Sequence, residues 1–386
     1  MKRTAIFSIG LALIGGILFA PAKAAPNVAC NLGAGDYIVT LSKGAVVSSE
    51  VKNVRGRQIV PNYIYDEALN GFAATLSAEE ACELRANPRV KNIELDQIIK
   101  ADAIMNQSSY VSWGIDRIDQ ISSTNGTYVY DDVNRGLGVT AYVIDTGIYT
   151  SDKDFGGRAR TGYDAISRTP QMDCNGHGTH VAGTIGGNTY GVAKAVSLVA
   201  VRVLNCQGSG TNSGVIAGIN WVIKDHQAGV KAVANMSLGG GASATLDDAV
   251  RKMIADGVVT AVAAGNSAVN ANTSSPARVA EAITVGATDS TDSLAYFSNY
   301  GAIVDINAPG VSITSDWLKD GVKTISGTSM ATPHVTGALA LALNRGITFT
   351  LGQIPSELVN PSSNAILSAN AISAGTTAKL LYKSTW

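Results

Sequence analysis

Four short apolar runs, at 139–144, 196–203, 230–234 and 258–264, constrain the fold of this chain more than any other feature. Each is built largely from Val, Ile and Ala without polar alternation, the pattern of a strand buried on both faces. Helix-like segments lie between and after them, at 178–186, 213–228 and 246–256. Strand–helix alternation predicts an α/β fold with a mainly parallel sheet packed against helices. Ligands of such sheets sit beyond the carboxyl ends of the strands, so those ends are where chemistry is sought.

The segment upstream reads differently. Residues 37–41 predict a strand, and Ser77 with Glu80 predicts a capping box opening a helix that runs through Ala86. Residues 90–99 alternate like a second strand, completing a small α+β unit, and the polar stretch 106–109 reads as a linker. At the extreme N-terminus, Lys2 and Arg3 precede an apolar run over 5–20, and Ala22 and Ala24 supply small residues for cleavage. That run falls short of the ~20 residues that span a bilayer, which predicts a cleaved secretory signal over 1–24. Asn27 stands where lipid attachment at Cys30 would want Leu, and no later stretch is long and apolar enough to cross a membrane. With 29 basic against 30 acidic residues, an electrostatic nucleic-acid binder is excluded, and 46% hydrophobic residues exclude global disorder.

Three segments carry chemistry. The run 139–144 ends in Asp145-Thr146-Gly147, which read alone is either an active-site carboxylate or an Asp capping a turn. The stretch Asn175-Gly176-His177-Gly178-Thr179-His180 holds two of the four histidines. It admits a metal pair or one catalytic and one structural imidazole, although no Glu supplies an H-E-x-x-H base. The third, Gly327-Thr328-Ser329-Met330-Ala331-Thr332-Pro333-His334, puts Ser329 at a helix start, as an N-cap or as a nucleophile near the positive helix end. Ala331 breaks the G-x-S-x-G elbow of the α/β-hydrolases.

The chain order Asp…His…Ser is that of subtilisin-type triads. On V-I-D-T-G at 143–147, H-G-T-H-V-A-G at 177–183 and G-T-S-M-A-T-P-H-V at 327–335, the sequence resembles the subtilisin-like serine proteases. Trp113 to Gln120 and Leu380-Leu381-Tyr382 are similar to the proteinase K branch, near its bacterial aqualysin-like members. Sedolisin-type acid peptidases share a G-T-S segment but lack this histidine motif. A subtilase fold retained only as a binding module would need a lost triad position, and none is lost.

The resemblance implies a three-layer subtilisin-like domain over 106–386, preceded by a propeptide over 25–105 that assists folding and then occupies the cleft as an intramolecular inhibitor. Its implied activity is that of a secreted, monomeric serine endopeptidase, broad in specificity, acting on proteins and peptides. Asp145, His177 and Ser329 would form the triad, with Asn266 the side-chain oxyanion donor; Asn266 read alone is equally a turn residue. Gly208, Ser209, Gly210, Ser237, Leu238 and Gly239 would clamp an extended substrate. Ala264 and Gly265 would leave the first pocket open to a large apolar or aromatic side chain. Self-cleavage is expected near Met105–Asn106.

The resemblance also pairs Cys174 with Cys206, leaving Cys30 and Cys82 as an open second pair. It implies structural Ca²⁺ at Asp305 with the carbonyls of Ala280 and Ala282, and a second site at Asp116, Asp119 and Gln120. Oxygen ligands suit that ion, although the second set reads equally as surface carboxylates near a helix start.

Overall fold

The structure is a computed structural model that describes residues 30–51, 58–101, 104–105, 112–130, 135–167 and 171–383. The expected signal peptide and the 106–109 linker therefore lie outside the described residues. The N-terminal unit comprises β1 (Gly35–Leu41), α1 (Val47–Glu50), β2 (Tyr63–Tyr65), β3 (Gly71–Leu76), α2 (Ala78–Ala86) and β4 (Val90–Leu95). Its strands form an antiparallel sheet in the order β2-β3-β1-β4. Ser77 and Glu80 close the expected capping box at α2. The run read as one strand over 90–99 is broken at Asp96-Gln97. Past the break, β5 (Ile98–Ala101) and β6 (Ile104–Met105) leave this sheet for the larger domain.

The larger domain continues through α3 (Trp113–Ile118), β7 (Thr140–Asp145), β8 (Ala159–Asp164), α4 (His177–Gly186), β9 (Ser197–Arg202), β10 (Ser209–Thr211), α5 (Asn212–Asp225), β11 (Ala232–Met236) and β12 (Leu238–Gly241). It then runs through α6 (Ala244–Ala255), β13 (Val258–Ala263), β14 (Ser274–Ser275), β15 (Ile283–Thr288), β16 (Ile306–Pro309), β17 (Ile313–Trp317), β18 (Gly321–Ser326) and α7 (Thr328–Asn344). The C-terminal stretch adds β19 (Val359–Asn364), α8 (Ala369–Ser373) and β20 (Lys379–Leu381). Among the described residues the main sheet has the order β19-β20-β16-β15-β13-β11-β7-β9-β8, parallel except at the β19–β20 edge.

Both faces of that sheet are covered, as the unbroken apolar runs require. Val143 of β7 and Val233 of β11 face a core shared with α4 and α7, whereas Tyr142, Ile144 and Ala234 face α5 and α6. This period-two division makes a three-layer sandwich. Ile38, Tyr65, Leu69 and Ile99 of the N-terminal unit join the second of these cores.

Polar contacts fasten the N-terminal unit to the same layer. Asn220 Oδ1 on α5 accepts the backbone N–H groups of Asp66, Glu67 and Ala68 at 2.8–3.2 Å. The Asp96 carboxylate accepts from the Ser213 N–H and hydroxyl at the start of α5, and Glu94 accepts from Ser243, the N-cap of α6. Two carboxylates thus sit at the positive ends of two helices.

Candidate active site

Asp145 closes β7 and is fully buried. Its Oδ1 accepts the Thr146 N–H at 2.7 Å and stands 2.7 Å from His177 Nδ1. An ionised carboxylate only accepts, so Nδ1 carries the proton and Nε2 is left as the base. Local sequence sets this approach. His177 opens α4 behind Gly176, whose φ of 104° favours glycine. A Cβ on Gly178 would lie 2.1 Å from the Gly147 carbonyl oxygen, so only glycine lets the helix start pack this closely. Asp173, which sequence reasoning missed, accepts the N–H groups of Asn175, Gly176 and Thr179 and the Thr179 hydroxyl at 2.7–3.0 Å.

His180 points elsewhere. Its Nε2 lies 3.0 and 3.2 Å from the carbonyl oxygens of Ile313 and Lys323, so that nitrogen carries a proton. Burial pushes its pKa down to about 3. The two imidazoles of the motif therefore serve different partners: one meets the carboxylate, the other ties α4 to β17 and β18.

Ser329 is the second residue of α7 and not its N-cap, which is Gly327. The Ser329 hydroxyl donates to the Ser237 carbonyl at 3.1 Å, and the Ser237 hydroxyl donates to the Ser329 carbonyl at 2.8 Å. Behind them, Asn235 Nδ2 donates to Ser237 Oγ, and Thr336 Oγ1 donates to Asn235 Oδ1, both at 2.8 Å. Asn235 and Thr336 were not singled out in the sequence, where each is one polar residue inside an apolar run. Asn266 Oδ1 accepts the Thr328 N–H at 2.8 Å and the Thr328 hydroxyl at 2.9 Å, which assigns its amide nitrogen to the opposite edge. Beside it opens a cavity of ≈ 270 Å³ lined by Gly239, Ala264, Gly265, Asn266, Ser267 and Asn299 among others, with no charged side chain in its wall.

The six clamp residues come together around β5. Ser209 pairs with Lys100 and Gly210 with Ile99 on one side; Leu238 pairs with Ala101 and Gly239 with Lys100 on the other, all antiparallel. Gly208 precedes this edge at φ 72°, and Ser237 joins the clamp to Ser329. β6 then pairs with β18, Ile104 opposite Ser326 and Met105 opposite Ile325, just before the Ser329 helix. The N-terminal unit thus places its own backbone as the middle strand between two edges of the larger domain.

Cys174 and Cys206 are bonded, beside the buried Arg202–Asp164 ion pair at 2.9 Å, and Cys30 is bonded to Cys82. Asp305 is partly buried, with Lys379 as a nearby cation. One oxygen accepts the Thr284 N–H at 2.8 Å, and burial pushes its pKa up to about 7. That fits a cation ligand. Ala282 is buried in the loop before β15, and the Ala280 carbonyl lies under Gly352, 2.1 Å from where a Cβ on that glycine would stand. Asp116 and Asp119 are occupied otherwise. Asp116 accepts the N–H groups of Asn125 and Gly126, and Asp119 accepts from Val129 N and Gln120 Nε2, closing one loop. Among the described residues, no three His, Cys, Asp or Glu side chains converge as a ready metal group.

A conserved-domain model described as the subtilase family matches residues 136–373, and one described as peptidase inhibitor I9 matches residues 36–102. The chain belongs to the subtilase family. It is a serine peptidase preceded by an I9 inhibitor domain. An extracellular serine proteinase of Thermus sp. is 55% identical over 303 residues, covering 77% of this chain and 72% of the relative. Alkaline serine exoprotease A of Vibrio alginolyticus is 49% identical over 330 residues, covering 83% of this chain; the chain spans only 60% of that relative's length. The crystal structure of a cold-adapted subtilisin-like serine proteinase superposes with a TM-score of 0.65 at 51% identity, covering 71% of this chain and 98% of the other. The resemblance and the three-layer fold expected from the sequence agree with these matches.

Proposed function

We propose that this subtilase is a secreted serine endopeptidase of broad specificity, made as a precursor that processes itself. The observation that carries the reading is the buried Asp145–His177 contact at 2.7 Å, formed at the carboxyl end of a central strand. In the proposed mechanism, Ser329 Oγ attacks the peptide carbonyl, His177 Nε2 takes its proton, and the same nitrogen returns a proton to the leaving amine. Asp145 holds the imidazole in the required tautomer and supports the imidazolium that forms. Asn266 Nδ2 and the Ser329 backbone N–H meet the developing oxyanion. Gly208, Ser209, Gly210, Ser237, Leu238 and Gly239 bind substrate backbone as an added strand, which is tolerant of sequence. The uncharged cavity beside Ala264 and Gly265 then favours an apolar or aromatic residue at P1, on the acyl side of the cleaved bond.

The I9 unit acts as intramolecular inhibitor by filling that strand position with β5. Self-cleavage falls between the clamp and Trp113, with Met105–Asn106 the expected bond. Ca²⁺ is proposed as a structural ion at Asp305 with the carbonyls of Ala280 and Ala282. Asp116, Asp119 and Gln120 form the second candidate, where binding exchanges the present backbone partners for the ion. The mature enzyme acts as a monomer and works outside the cell, the second point in keeping with the extracellular serine proteinase of Thermus sp.. No helix among the described residues is long and apolar enough to cross a membrane. A fluorophosphonate probe tests the nucleophile: the labelled peptide is expected to carry its adduct on Ser329, and an adduct on any other residue overturns the assignment.

A further inference from the structure

Behind the active site, at the far end of α4 from His177, two glycines one turn apart make room for three side-chain oxygens, two of which no donor satisfies. A Cβ on Gly183 would stand 2.4 Å from both Asp316 Oδ2 and Ser315 Oγ. A Cβ on Gly187 would stand 2.4 Å from Asp154 Oδ2 and 2.8 Å from Asp316 Oδ2. Asp316 and Ser315 are 3% and 0% exposed, and neither Asp316 Oδ2 nor Ser315 Oγ has a hydrogen-bond partner. Asp152 Oδ2, at the rim, is likewise buried without one.

The surrounding charges make this arrangement costly as it stands. The cradle lies at the C-terminus of α4, the negative end of a helix, where carboxylates are disfavoured and cations favoured. Nearby cations are committed to backbone oxygens. Arg158 donates to the carbonyls of Gly186, Val196 and Asp154 and to Asn188 Oδ1, and Lys194 Nζ donates to the carbonyls of Asn188 and Thr189. Lys153 pairs with exposed Asp320. Asp154 accepts from the Thr189 N–H and hydroxyl, which are neutral. Asp316 is buried with the carboxylates of Asp154 and Asp152 as its neighbours, Asp154 within side-chain hydrogen-bonding reach. A buried carboxylate in such company needs a proton or a metal ion.

We propose that this cradle is a cation site in which Asp316, Asp154 and the Ser315 hydroxyl bind a hard divalent ion of the calcium class. Asp152 adds negative charge from the rim, and water completes the shell. Two carboxylates plus neutral oxygens fit Ca²⁺, which accepts six to eight oxygen ligands in flexible geometry. The ion would link the 152–154 turn, the end of the helix that carries His177, and the β17–β18 hairpin that leads into the Ser329 helix.

The test uses the full precursor carrying Ser329→Ala, which prevents self-digestion, with Tb³⁺ as the probe. Trp317 adjoins Asp316 and serves as the sensitiser. Asp316→Asn is expected to bind one fewer Tb³⁺ per chain and to lose most of the Trp317-sensitised emission, while Asp305→Asn keeps that emission. Melting in Ca²⁺ and in chelator guards against a misfolded variant. Asp316→Asn is expected to melt higher than its parent in chelator, because an unpaired buried acid is gone, and to gain less on adding Ca²⁺. Equal Tb³⁺ stoichiometry and an equal Ca²⁺ increment in parent and variant overturn the proposal and leave a proton as the occupant.

Discussion

The side-chain oxygen of Asn266 accepts hydrogen bonds from both the backbone N–H and the hydroxyl of Thr328, at 2.8 and 2.9 Å. Two donors on one oxygen fix which way the amide faces, so its nitrogen is already aimed before charge develops. Preorganisation of this kind acts on the transition state and leaves ground-state binding almost untouched. Asn266→Ala is expected to lower kcat by about 10²–10³ with KM nearly unchanged, a scale inherited from removal of the equivalent kind of donor in a subtilisin. Thr328→Val, which keeps the N–H and loses the hydroxyl, is expected to cost about three- to tenfold in kcat. Steady-state kinetics on a peptide substrate checks both; a matching rise in KM contradicts the role.

Stability should fall on the acid side because two imidazoles are buried neutral. Burial holds His180 down to about 3 and His334 down to about 4, against an ordinary 6.5. The unfolded chain therefore takes up protons that the folded chain refuses between about pH 6.5 and those values, so stability drops as pH falls through that window. Melting curves of the Ser329→Ala precursor from pH 7 to 4 measure the slope. His334→Leu is expected to flatten it, and an unchanged slope means the histidines do not contribute.

The bond between Cys174 and Cys206 closes a loop that ends beside His177. Replacing both cysteines by serine is expected to cost about 3 kcal/mol of stability. Denaturant titration of the inactive precursor reads this directly.

The fold was legible where the sequence carried a period. Uninterrupted apolar runs marked the parallel strands, and the carboxyl end of one of them led to Asp145, whereas His177 and Ser329 came from their motifs and Asn266 from the family resemblance. The break in the N-terminal unit was not legible, because residues 90–99 keep alternating through Asp96 while the chain changes sheets. What stops β4 there is a tertiary demand: Asp96 meets Ser213 at the start of a helix more than a hundred residues onward. Asn235 and Thr336 were invisible for the same reason. A single buried amide in a strand declares itself only when its partner, far along the chain, is seen to reach it.

Those Asp96 contacts predict how the precursor is restrained. Asp96→Ala removes a charged cap from α5, and hydrogen bonds to charged groups contribute about 1.5–3 kcal/mol. The isolated N-terminal unit bearing this change, added to mature enzyme, is expected to inhibit at least about tenfold more weakly. An unchanged inhibition constant places the restraint in β5 alone.

The central claim is that Ser329 performs both self-processing and proteolysis. Expressing the native and Ser329→Ala precursors and comparing chain mass, N-terminal sequence and casein hydrolysis tests it most directly. The native chain is expected to shorten to a form beginning at Asn106 and to digest casein, while Ser329→Ala keeps its N-terminal unit and leaves casein intact. A Ser329→Ala chain that still matures unaided and cleaves casein contradicts the assignment.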